Sequence, residues 1–107
     1  MEKKVRLPEP TEDKLTNLII REVPLPNGRI LKLQMSEWHW EMLAFEEVWN
    51  DVYGREYGLI YEFYKMAPNT KDRVLSDAMM SVLRDDYNEY LAKFAPGEEP
   101  EYDDPRQ

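Results

Sequence analysis

The stretch from Gly28 to Met35 constrains this chain more than any other. It is an extended pattern inside a sequence otherwise spaced for helices, and it runs straight into a tryptophan-rich segment. From Arg29 the residues alternate. Leu31, Leu33 and Met35 share one face and Ile30, Lys32 and Gln34 the other, because successive side chains of a strand point to opposite sides. One face is expected to be buried and the other presented. Pro24-Leu25-Pro26-Asn27-Gly28 precedes it, and Asn-Gly is a strong turn signal. Leu18 to Val23 has the composition of a short strand. Residues 18–35 therefore form either a local hairpin or a strand whose partner lies on another chain.

Helical spacing follows. Ser36 suits an N-cap, with Glu37 in the first turn to complement the helix dipole. Trp38, Met42, Phe45, Trp49 and Val52 recur at four and three residues, and Trp40, Leu43 and Val48 widen that stripe. Gly54 matches a helix-ending residue. A second helix is predicted from about Arg55 to Met66, with Ile60, Phe63 and Tyr64 inward and Gly58 as a weak point. Pro68 closes it. Asn69 or Thr70 is expected to cap a third helix, with apolar positions Leu75, Met79, Val82, Leu83, Tyr87, Tyr90 and Leu91, stopped by Pro96-Gly97. The prediction is one mainly α domain: a short N-terminal strand or hairpin followed by three helices over residues 18–95. Residues 1–17 are expected as a flexible charged arm, and residues 96–107 as an acidic, disordered tail.

Charge bounds the partners. The formal net charge of the 107 residues is −8. A chain this acidic neutralises few phosphates as a whole. The distribution is uneven, however: residues 1–35 carry seven Lys/Arg against five acids, residues 36–95 six against twelve. With no cysteine, disulfide and thiol chemistry are excluded. No apolar run is long enough to span a bilayer and the N-terminus does not resemble a signal peptide, so a cytoplasmic protein without a membrane partner is expected.

The order strand, helix, glycine, helix resembles the ribbon-helix-helix superfamily, in particular a bacterial branch with a third helix. Gly28-Arg29-Ile30-Leu31-Lys32-Leu33 stands for its strand, Trp40 and Leu43 for its helix anchor, Gly54 for the turn between helices, and Leu75-Ser76-Asp77-Ala78-Met79 for the start of the last helix. The resemblance covers about residues 18–91. It implies an intertwined homodimer in which two strands pair and enter the major groove of double-stranded DNA, as in a transcriptional regulator or an antitoxin. On that reading Arg29, Lys32 and Gln34 contact bases, since Lys suits guanine and Gln adenine. Arg55 and the backbone amides up to Tyr57 hold a phosphate at a helix N-terminus.

The alternative is an acidic protein-interaction module, an inhibitor or nucleic-acid mimic of phage or plasmid type, that binds a basic protein surface. The run Tyr53, Tyr57, Tyr61 and Tyr64 then belongs to a partner surface as readily as to the edge of the core. Trp38, Trp40 and Trp49 are expected in the core. Enzymatic activity has no positive support. His39 is the sole histidine, which is too few for zinc. Asp85, Asp86 and Glu89, like Glu41, Glu46 and Glu47, are expected as solvated helix faces rather than acid–base pairs. No metal or cofactor is expected.

Overall fold

The computed structural model describes residues 6–50 and 57–93. Its elements are α1 (Glu12–Thr16), β1 (Leu18–Pro24), β2 (Ile30–Ser36), α2 (Glu37–Asn50), α3 (Gly58–Met66) and α4 (Asp72–Leu91). The molecule is mostly helical around one antiparallel hairpin. Gly54, Val52, Tyr53 and Arg55, and the tail from residue 96 on, lie outside the described residues, as does the side chain of Trp49.

The extended segment finds its partner in the same chain. β1 and β2 pair from Leu18 opposite Ser36 to Pro24 opposite Ile30, and Gly28 turns the chain at a φ of 91°, where glycine meets no Cβ penalty. The alternation holds: Leu31, Leu33 and Met35 are fully buried, while Ile30, Lys32 and Gln34 are exposed. Val23 joins the buried face from β1.

Ser36 caps α2 as expected, its Oγ accepting from the His39 backbone N–H at 3.2 Å. Trp38, Met42 and Phe45 from α2, Ile60 from α3, and Leu75, Met79, Leu83 and Tyr87 from α4 enclose the core with the inner hairpin face. Both described tryptophans satisfy their ring N–H with backbone oxygen. Trp38 Nε1 donates to Pro8 O at 2.9 Å and Trp40 Nε1 to Ile19 O at 3.0 Å, as buried indoles require.

Several boundaries depart from expectation. Part of the segment expected as an arm is built into the domain: Leu7 is fully buried and α1 lies against α2, with Lys14 Nζ 2.9 Å from Glu41 Oε2. Leu7, with only Val5 near it among charges and prolines, gives no periodic signal in the sequence. The second helix begins at Gly58 rather than Arg55, because Tyr57 sits in the left-handed region (φ 61°) and cannot continue a helix backwards. Gly58 is therefore the first helical residue and not an interior weak point. The cap of α4 is Lys71, not Asn69 or Thr70. Val48 and Leu91, assigned inward by spacing, are exposed.

Candidate interaction surface

The hairpin has two faces and two edges, and they are unlike. Its buried face closes the core. Its solvent face carries Leu18, Ile20, Glu22 and Pro24 from β1 beside Ile30, Lys32 and Gln34 from β2. Three of these are large aliphatics left 59%, 63% and 54% exposed, at Leu18, Ile20 and Ile30 respectively. Leu18 and Ile20 are neighbours along β1, whereas Ile30 stands at the turn end opposite Pro24, with the Glu22–Lys32 row between; exposed aliphatics gathered on one face are a feature of contact surfaces. The only charges on this face oppose each other, Glu22 across from Lys32.

The edges follow from the ladder. Leu25 N donates to Arg29 O at 2.8 Å, and Glu37 N to Asn17 O at 2.8 Å. Odd-numbered residues thus exchange the hydrogen bonds between strands, and even-numbered ones point their backbone groups away. On β2 the away side is covered by α4. Asp72 Oδ2 accepts from Lys32 N at 2.9 Å, and Ser76 Oγ accepts from Gln34 N at 3.3 Å while donating to Asp72 O at 2.9 Å. Two side chains one helical turn apart thus replace a third strand. On β1 the outward groups belong to Leu18, Ile20 and Glu22. Among the described residues nothing takes up their outward N–H groups, and Pro24, which has none, ends the row.

The residues proposed for DNA are not brought together as one reading set. Lys32 and Gln34 present their side chains on the solvent face. Arg29 is drawn toward the helices: its guanidinium lies 5.4 Å from the Tyr64 ring centre, donates to Pro68 O at 3.2 Å and reaches Asp72 at 3.4 Å. At the N-terminus of α3 the Gly58 N–H donates to Glu47 Oε2 at 2.9 Å. A carboxylate therefore occupies the place beside Tyr57 that a phosphate would need, and Arg55 lies outside the described residues. Of the tyrosine run, Tyr57 and Tyr61 pack against the core and Tyr64 belongs to it. Tyr57 meets Trp40 edge-on, and the Tyr64 hydroxyl accepts from Asn27 Nδ2 at 3.3 Å. That bond, helped by Arg29, lowers the Tyr64 pKa.

Two polar clusters lie elsewhere. His39 Nδ1 contacts Ser36 Oγ at 2.5 Å, but Ser36 is buried and already serves as the cap, so it is not placed as a nucleophile. Burial first, and Arg84 second, lower the His39 pKa. Glu46 is the more unusual group. It is buried on α2, and burial, a hydrogen bond to Asp86 and the charges of Asp86 and Glu89 on α4 push its pKa up to about 9. At neutral pH the Glu46–Asp86 pair holds a proton between its two carboxyl groups. Sequence spacing placed Glu46 with Glu41 and Glu47; only the crossing of α2 and α4 brings it to Asp86. Among the described residues no cluster of His, Cys, Asp and Glu has the arrangement to hold a metal ion, and no helix is long and apolar enough to cross a membrane. Comparison with protein families, with characterised proteins and with solved structures finds no match for this chain.

Proposed function

We propose that the chain is an acidic protein-interaction domain and that the solvent face of its hairpin is the contact surface. The observation that carries this reading is the exposed aliphatic set Leu18, Ile20 and Ile30 on a hairpin closed within one chain. The net charge of −8 favours a partner whose apolar patch is rimmed by Lys and Arg. A ribbon shared by two copies through β2 would first have to displace Asp72 and Ser76 from the Lys32 and Gln34 amides.

A second reading, the DNA-binding regulator, is favoured by one observation: Lys32 and Gln34 do face solvent on an antiparallel two-stranded ribbon. Against it, the same face carries Glu22 opposite Lys32, and such a face attracts few phosphates.

One pair of measurements separates the two. Affinity capture with the wild-type chain and with Ile20→Asp and Ile30→Asp should return a partner with the wild type only. Gel shift against a pool of random duplexes should show no retained DNA. A retained duplex released by the double substitution Lys32→Ala, Gln34→Ala would replace the interaction-domain reading with the regulator.

A further inference from the structure

Resting on the interaction-domain reading, we infer that β1 is a docking edge: the partner adds an extended strand antiparallel to Leu18–Val23, and the side chains beside that edge specify its sequence. An edge strand with unpaired backbone groups is a template for another strand. Among the described residues the hairpin is open at the β1 edge only, because α4 covers the Lys32 and Gln34 amides of β2. Leu18, Ile20 and Glu22 offer the backbone groups, and Pro24 marks the end of the row.

The flanking side chains choose the occupant. On the solvent face Leu18 and Ile20 call for aliphatic neighbours, and Glu22, with Lys32 on its other side, accepts a cation and opposes an acid. On the opposite face stands Arg21, exposed, with its guanidinium 5.0 Å from the Trp40 ring centre. Its positive charge is matched by no ion pair among the described residues, so an added strand meets it with an acid. Running antiparallel, from the residue opposite Glu22 to the one opposite Leu18, the complementary order is cation, acid, aliphatic, neutral, aliphatic. Cross-strand pairs of opposite charge stabilise such a ladder and like charges oppose it.

The same charges disfavour a second copy. Pairing Ile20 with the second copy's Glu22 sets two Arg21 side chains against each other. Pairing Ile20 with itself sets Arg21 against Ile19 and Glu22 against Leu18, so the added strand brings neither an opposite charge. The chain's own acidic tail is a poor occupant too, since Glu98 to Asp104 offers Tyr102 as its one large apolar residue and contains Pro100.

The test uses the full chain and two blocked heptapeptides of identical composition. One is Thr-Lys-Glu-Val-Thr-Val-Thr; in the other Lys and Glu are exchanged. Titration followed by fluorescence anisotropy should show saturable binding of the first, about tenfold tighter than the second, in line with two ion pairs that turn repulsive. Arg21→Glu should narrow or invert that preference. Ile20→Pro removes an N–H that the hairpin does not use, so helical circular dichroism should stay unchanged while binding falls several-fold below that of Ile20→Ser, which loses only the side chain. Amide exchange should slow at Leu18, Ile20 and Glu22 on peptide binding, and stay unchanged at Ile19, Arg21 and Val23, which are already paired.

Equal binding of the two peptides, no binding at all, or protection without that alternation would overturn strand addition. The captured partner keeps the two levels apart. If it is lost with Ile30→Asp yet retained by Ile20→Pro, the surface packs face-on: the interaction reading stands and strand addition fails. Retention by both variants removes both.

Discussion

Glu46 shows what one buried group does to the whole balance. Its ordinary pKa is 4.5 and in the folded chain it rises to about 9, so between those values the folded state holds a proton that the unfolded state has released. Stability must then fall as pH climbs through that window, and it is greatest on the acidic side. Replacing Glu46 with Gln supplies a permanent donor toward Asp86. Thermal unfolding of Glu46→Gln should begin about 1–3 kcal/mol more stable than wild type at pH 8, with the gap closing toward pH 5; a constant gap across that range would refute the assignment. Leu7 makes the opposite case. It has no exposed surface and comes from a segment that looks solvated by composition. Leu7→Ala should cost about 2–5 kcal/mol in urea unfolding, and a loss under 0.5 kcal/mol would show that the segment is dispensable.

At the level of elements, the period-two pattern of β2 was legible because one face is buried and the other is not. The helical stripe of Trp38, Met42 and Phe45 was legible for the same reason. Neither pattern specified which strand partners β2, and Ser76 and Asp72 gave no hint that they would close its edge. Each is an ordinary helix residue until α4 is laid beside β2. That closure has a measurable signature. Ser76→Ala should leave the Gln34 N–H without an acceptor, destabilise the fold by about 1–3 kcal/mol, and speed amide exchange at Gln34 before that at Leu33. Uniform acceleration along β2 would mean that α4 contributes by packing alone. The start of α3 was not legible for a local reason: a tyrosine in the left-handed region is rare, and nothing in the spacing marks Tyr57 for it.

For the whole molecule, the aliphatic face was legible as the outward side of an alternation, but its meaning was not. Lys32 and Gln34 keep the outward placement that the alternation gives them, while Glu22 stands opposite Lys32 and Arg29 is drawn to Tyr64 and Asp72. Since β2 is satisfied within one chain, light scattering at micromolar concentration should return the monomer mass, and a stable dimer would reopen the shared-ribbon arrangement. The closure of β2 by α4 also orders events in time. Strand pairing joins β1 and β2 residues at most 18 apart, Leu18 with Ser36, whereas Gln34 must wait for Ser76, 42 residues later. Short loops close first. Until α4 docks, any hairpin that forms has both edges bare and Leu31, Leu33 and Met35 uncovered. In that interval it is a nucleus for aggregation, and the arrival of α4 ends its exposure.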